Sequence, residues 1–402
     1  MNNIELKALE ADLRKYLGFN DEMLNRLPHI NESKLNELKT IMTKMKNNEH
    51  KAAQENLRRK IANIFKKNPS LSKKRILGGG VGATNIGVPR RKFVQSKTQK
   101  VKIAPNRKPK IVFMTDVKGW AWWIKSEYIK KYLSDDFDID IKNLIDDNGR
   151  MKFGNVNQNK YDLYFSYGFS YIDFLRQVPK HKKVCGVTAH RAKSVIFPEM
   201  KKAEHHHANS MMLLKELKDM GFERAYYVPN GVNEELFVPS KPLKEEGELV
   251  IGHVGKECAA KGQREFILPA IQSTGCKSAT NLRTWKDKLP HSEMPKIYND
   301  MDVFIVASTE DGTPNPALEA AACGRPIISN AIGNMPELIV DGWNGFIVPR
   351  KIGAYIEKIK YFKENRDELI RMGKNARKSI EEGWTWKIQA ENYRKMFKDI
   401  FK

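Results

Sequence analysis

The stretch from Asp302 to Pro349, DVFIVASTEDGTPNPALEAAACGRPIISNAIGNMPELIVDGWNGFIVP, leaves few choices of fold. An apolar strand from Val303 to Ala307 runs into an acidic Gly/Pro loop, a helix opens at Asn315-Pro316 and stops at Gly324, and a second buried strand covers Pro326 to Ser329. This is a β-loop-α-β unit of a parallel sheet. Open parallel sheets bind ligands beyond the carboxyl ends of their strands, where the Ser308 to Asn315 loop must lie. With Asn315 as cap and proline at the first helical position, the backbone N–H groups of the helix start are left for an anion. The nearby acids are Glu310, Asp311 and Glu319, and the last two flank the helix start, so both are placed to face a ligand docked there. Helix-dipole complementation alone would also account for an isolated pair of this kind.

At 402 residues, the chain has room for two Rossmann-size domains and an appendage. It has no apolar run of the roughly 18 residues a membrane span needs, and its polar start is no signal peptide, so a cytoplasmic location is expected. Cys185, Cys258, Cys276 and Cys323 show neither CxxC nor disulfide spacing and are expected to be reduced and mostly buried.

The net charge of +23 is concentrated in one place. Residues 66–110 hold 14 Lys/Arg and no acid, against 12 and 9 in residues 1–65 and 45 and 39 in the remainder. Residues 1–65 read as helices, with stripes such as Ile4, Leu6, Leu9, Leu13 and Leu17, and form a packing or docking appendage. Residues 66–109 lack apolar periodicity and read as a flexible basic linker, a candidate grip on a polyanion by counterion release or on acidic lipid by attraction. Its GGGVG run follows no strand and is closed by no Gly-Lys-Ser/Thr, so it is no phosphate loop.

From Lys110 the pattern becomes α/β. A buried strand, Ile111 to Met114, leads through TDVKGWAWW to a helix from Ile124 to Leu133, and strands follow at Tyr161 to Tyr167 and Val184 to Thr188. Trp120, Trp122 and Trp123 suit either core packing or a stacking surface for a sugar or base. His190, just past a strand end, carries an imidazole, a group suited to proton handling. In Glu204-His205-His206-His207 consecutive side chains diverge, which argues against a metal site. PSKPLKEEGE, residues 239–248, reads as a hinge; Leu249 to Val254 opens a second domain followed by GKECAAKGQREF, and WTWKIQAENYRKMFKDIF closes the chain as an amphipathic helix.

The stretch EDGTPNPALEAAACGRPII with GNMPELIVDGWNGFIVP closely resembles the donor-site signature of family 4 retaining glycosyltransferases of GT-B fold. VPNGVNEELFVP and LPHSEMPKIYNDMDVFIV extend the resemblance over about residues 110–400. It implies two Rossmann-like domains facing across a cleft, 110–238 for the acceptor and 249–380 for the nucleotide sugar, with 381–402 crossing back to brace the first. His190, Asp311 and Glu319 would be catalytic: Glu319 on the ribose, Asp311 on the donor sugar, and His190 near the acceptor. Gly119, Lys256, Lys261, Gly312, Thr313, Pro314 and Asn315 would bind the donor. Lys256 stands where relatives carry Arg, Asp311 where most carry Glu, and Asn334 where a second Gly is usual. Lysine keeps the charge but loses the bidentate fork.

The implied reaction is retaining transfer from a nucleoside-diphosphate sugar to a hydroxyl, with no cofactor and no essential metal. The basic arm has few apolar residues and many breakers, unlike an amphipathic lipid anchor, and so favours nucleic acid over acidic membrane. That makes a hydroxymethylated DNA base the expected acceptor, as in bacteriophage DNA glycosyltransferases. The alternatives are a lipid or cell-envelope glycan acceptor, or a nucleic-acid-binding protein with vestigial transferase domains.

Overall fold

The computed structural model describes residues 106–146, 149–151, 156–282 and 289–402, together with Val101 and Ile103. The helical appendage and nearly all of the basic linker expected above lie outside the described residues.

The first sheet is built from β1 (Lys110–Thr115), β2 (Asp138–Asn143), β3 (Leu163–Ser166), β4 (Lys183–Val187), β5 (His205–Ala208) and β6 (Ala225–Tyr227). All strands are parallel, in the order β2-β1-β3-β4-β5-β6. Every residue of β3, β4 and β5 is buried, so apart from Lys183 at the start of β4 these strands carry continuous apolar or neutral runs rather than alternation. The acidic DDFDID stretch supplies β2, which can carry charge because it is an edge strand. α1 (Ala121–Leu133), α2 (Lys193–Met200) and α3 (Met211–Asp219) provide the crossovers, α3 being capped by the Ser210 hydroxyl, which accepts from Leu213 N.

The histidine run proves to be structural. β5 places all three rings inside: His206 Nε2 lies 2.9 Å from Met200 O and His207 Nε2 3.1 Å from Ser166 O. The His207 ring stacks on Phe165 at 4.4 Å, and a Cβ on Gly186 of the neighbouring strand would meet its Nε2 at 1.9 Å. A residue without a side chain is therefore required at 186. No group of three or more metal-ligating side chains occurs among the described residues.

The second sheet holds β7 (Val250–Gly255), β8 (Lys277–Leu282), β9 (Val303–Val306), β10 (Ile327–Ser329) and β11 (Gly345–Ile347), parallel in the order β11-β10-β9-β7-β8. It is flanked by α4 (Leu268–Thr274), α5 (Met294–Asn299), α6 (Asn315–Ala322), α7 (Met335–Leu338), α8 (Ile352–Glu364) and α9 (Arg366–Gly383). The unit β9-loop-α6-β10 is the one its sequence demanded, and β9 and β10 are direct neighbours.

Residues 386–401 form α10 (Trp386–Phe401), which packs on the first sheet: Tyr393 and Phe397 join Phe113 and Phe165 in one core, and Trp386 stacks on Tyr128 at 5.5 Å. The segment 239–248 is held to the second domain. Arg325, 1% exposed, donates to Lys241 O at 2.6 Å, Ser240 N donates to Asn299 Oδ1 at 2.8 Å, and Arg366 reaches Gly247 O. The two sheets thus form a two-domain α/β protein whose strand ends face each other. No described helix is long and apolar enough to cross a membrane. Among the cysteines, Cys185 and Cys323 are buried while Cys258 is exposed and Cys276 half-buried, so burial is less general than the sequence suggested.

Candidate functional site

A cavity of about 560 Å³ opens between the carboxyl ends of β1 and β7. Its first-domain wall is the turn Lys118-Gly119-Trp120 and the start of α1; Gly119 holds a φ of +78° there, a conformation L side chains rarely adopt. Its second-domain wall is Val254 to Lys256 at the end of β7, with His291, Tyr298, Asn315 and Glu319, and Trp386 completes it. The volume suits a drug-sized polar ligand.

Glu319 lies one turn into α6. Its carboxylate accepts from Tyr298 Oη at 2.5 Å and lies 3.3 Å from His291 Nε2, which fixes its orientation. Lys256, on the same second-domain wall, is exposed with no acidic partner among the described residues. Exposed cations, Lys118 and Lys256, and one oriented carboxylate in a largely apolar cavity suit a ligand carrying both phosphate and hydroxyl groups.

The remaining expected residues gather beside this cavity rather than in it. Lys261 spends its charge on Asp311, its Nζ lying 2.6 Å and 2.7 Å from the two carboxylate oxygens. Asp311 sits in an antiparallel bridge with Ala189, and His190 N donates to Glu310 O at 2.8 Å. Gly312 N donates to Thr188 O at 3.1 Å, and Thr313 Oγ1 donates to Asn209 O at 3.1 Å. The loop 310–313 is thereby stitched to the first domain. A Cβ on Gly312 would lie 2.3 Å from Asn209 Oδ1, and one on Gly333, whose φ is +53°, 2.3 Å from Gly312 O. His190 lines a separate opening with Arg191, Glu216 and Glu310. Its Nδ1 donates to Glu216 Oε1 at 2.8 Å, leaving Nε2 as the acceptor, buried and without a partner among the described residues.

One expectation is corrected. Asn315 does not cap α6: no side-chain cap bond forms, Pro314 occupies the cap position and Pro316 the second helical one. The physical reason is competition, since Asn315 Oδ1 accepts instead from Asn230 Nδ2 at 2.6 Å. Asn230 in turn accepts from Lys125 Nζ at 2.6 Å through its own Oδ1.

Residues 279–379 match the family model described as "Glycosyl transferases group 1". Over that stretch the chain is similar to the group 1 glycosyltransferases. Over 156 residues it is 30% identical to spore coat protein SA of Bacillus subtilis, covering 37% of this chain and 40% of that protein. Over 206 residues it is 32% identical to the capsular polysaccharide biosynthesis glycosyltransferase CapM of Staphylococcus aureus, covering 43% and 54%. The chain spans about half the length of these curated relatives. In fold it is similar to a sucrose-phosphate synthase from Thermosynechococcus elongatus, with TM-score 0.60 and 16% identity over 73% of this chain and 99% of that one. It is also similar to Anabaena HepE solved with UDP and glucose, with TM-score 0.56 and 15% identity over 72% and 99%. Both likenesses are of fold, and that fold is GT-B.

The cavity also has lining residues that the sequence did not single out. Tyr298 and His291 hold Glu319 from α5 and the turn before it, and only contact across two helices reveals them. Trp386 reaches the cavity from the far end of the chain. The tryptophan cluster divides: Trp122 packs on Tyr167 and Tyr171, Trp123 lies near Lys118, and Trp120 lines the cavity.

Proposed function

We propose that this chain catalyses retaining transfer of a sugar from a nucleoside diphosphate to a hydroxyl acceptor. The observation that carries the reading is the cavity shared by Glu319 and Lys256. Glu319, pre-oriented by Tyr298, accepts the ribose hydroxyls, and Lys256 meets the diphosphate. Donor entry draws Lys261 from Asp311 toward the leaving diphosphate, which frees Asp311 for the sugar hydroxyls. The two lysines then stabilise charge that develops on the leaving group. Gly119, Gly312, Thr313, Pro314 and Asn315 shape the donor's surroundings from the two walls. His190, its tautomer fixed by Glu216, presents Nε2 for a hydroxyl proton.

The acceptor reading rests on the 14 cations and absence of acids in residues 66–110, which favour a nucleic-acid acceptor such as a hydroxymethylated DNA base. A second reading, a cell-envelope glycan or lipid acceptor, is favoured by the names of the relatives, a spore coat protein and a capsular polysaccharide enzyme. Incubation with a panel of labelled sugar nucleotides, with product mass spectrometry on hydroxymethylated DNA and on cell-envelope extract, tests both. Transfer to DNA supports the first acceptor and transfer to extract alone the second. Undiminished turnover in Glu319→Ala and Lys261→Ala overturns the donor site.

A further inference from the structure

Lys125 is the most deeply buried cation of the first domain. It is 2% exposed and has no carboxylate partner among the described residues; its Nζ meets Asn230 Oδ1 at 2.6 Å and the faces of Tyr167 and Tyr393 at 5.0 and 5.4 Å. Burial lowers its pKa to about 7. Such a group is costly to keep unless it does something that an apolar side chain could not. As an ammonium it carries no lone pair, so toward Asn230 Oδ1 it can only donate.

This donor imposes a direction on two amides. A lysine nitrogen in contact with Asn230 requires the oxygen of that amide to face it, so the NH₂ must face the other way. Asn230 is 7% exposed and its Nδ2 lies 2.6 Å from Asn315, which must then turn its own oxygen inward. That leaves the Nδ2 donors of Asn315, a residue of the cavity wall at the start of α6, with no partner among the described residues. Without Lys125 the two amides could flip together at little cost, and Asn315 would show a carbonyl oxygen to the cavity. A carbonyl oxygen repels phosphate, whereas an amide N–H binds it.

We infer that Lys125, acting through Asn230, is a positioning residue that sets Asn315 as a hydrogen-bond donor to the diphosphate of the donor substrate. This rests on the donor site proposed above. Lys125 touches no substrate; it links the first domain to a polar contact in the second and makes that contact depend on the two domains being docked.

The test is calorimetric titration of the full chain with the diphosphates of uridine, guanosine, adenosine, cytidine and thymidine, and with the matching nucleosides. Asn230→Asp keeps the bond to Lys125 as a buried ion pair but offers an acceptor to Asn315, which reverses the amide. Lys125→Met removes the donor with little change of volume. Both should weaken binding of the preferred diphosphate roughly ten- to a hundred-fold, the range for one hydrogen bond to a charged group. Nucleoside binding should stay unchanged, as a merely structural defect would not allow. In an Asn315→Ala background neither change should add a further loss, because both act through Asn315. Diphosphate binding that is unchanged in both variants, or a loss that persists in full in the Asn315→Ala background, overturns the inference while leaving the donor site intact. Wild-type chain that binds none of the five overturns the donor site and the inference with it.

Discussion

Acidification should unfold the first domain well before its carboxylates titrate, because β5 buries three neutral imidazoles. Burial lowers the pKa of His205 and His206 to about 4 and of His207 to about 3, against an ordinary 6.5. The folded state therefore binds fewer protons than the unfolded chain between those values and 6.5. Stability is complete above pH 6.5 and is lost as pH falls. At pH 5 the unfolded chain has taken up nearly one proton at each site and the folded chain few. The loss is about 2 kcal/mol per histidine. It depends mainly on the unfolded pKa and little on how far below pH 5 the folded value lies. Three such losses make roughly 6 kcal/mol, comparable with the 5–15 kcal/mol that holds a typical domain together. The neighbouring Lys125 adds to the penalty on His207. Urea unfolding of the full chain, followed by tyrosine and tryptophan fluorescence at pH 7, 6 and 5, should show the midpoint falling steeply. His207→Gln keeps a donor for Ser166 O and does not titrate, so it should flatten the slope by about one proton in three. A midpoint constant from pH 7 to 5, or a slope untouched by His207→Gln, would refute the reasoning.

Two further outcomes follow from close approach and from burial. Gly312→Ala sets a Cβ 2.3 to 2.6 Å from Asn209 Oδ1, Thr188 O and Leu213 Cδ1; it should separate loop 310–313 from the first domain, cost about 1–3 kcal/mol and abolish transfer, read by thermal melting and turnover. Lys125→Met should remove a rise of stability between pH 7 and about 9.5, since burial holds the folded lysine at about 7 and the unfolded lysine stays charged to 10.5; parallel urea titrations of variant and parent check this.

Much of the second domain was legible because its constraints are local. Val303 to Ala307 and Pro326 to Ser329 are apolar over their whole length, and only a strand covered on both faces satisfies such runs. The Gly/Pro punctuation at Gly312, Pro314, Pro316 and Gly324 fixed where the helix between them starts and stops. Glu319 could be assigned to the site for the same reason, its distance along one helix being set by chain geometry. Asn315 was misread because cap preference is a local rule and Asn230, 85 residues away, offers a competing donor.

What the amino-acid sequence determined by itself is therefore the β-loop-α-β grammar, the two-domain α/β class and the identity of charged groups that lie in or beside the cavity. The tertiary structure alone decided how those groups are shared out. It brought Lys256 and Glu319 to one cavity, tied Lys261 to Asp311, set His190 beside Glu216, and ran Lys125 through Asn230 to Asn315. Apart from Lys256 and Glu319, which share only the cavity, each of these pairings joins residues distant in sequence through a hydrogen bond that depends on tenths of an ångström. Hydrophobic periodicity fixes which face of an element is buried, but it carries no information on which polar atom across the seam will claim a given donor.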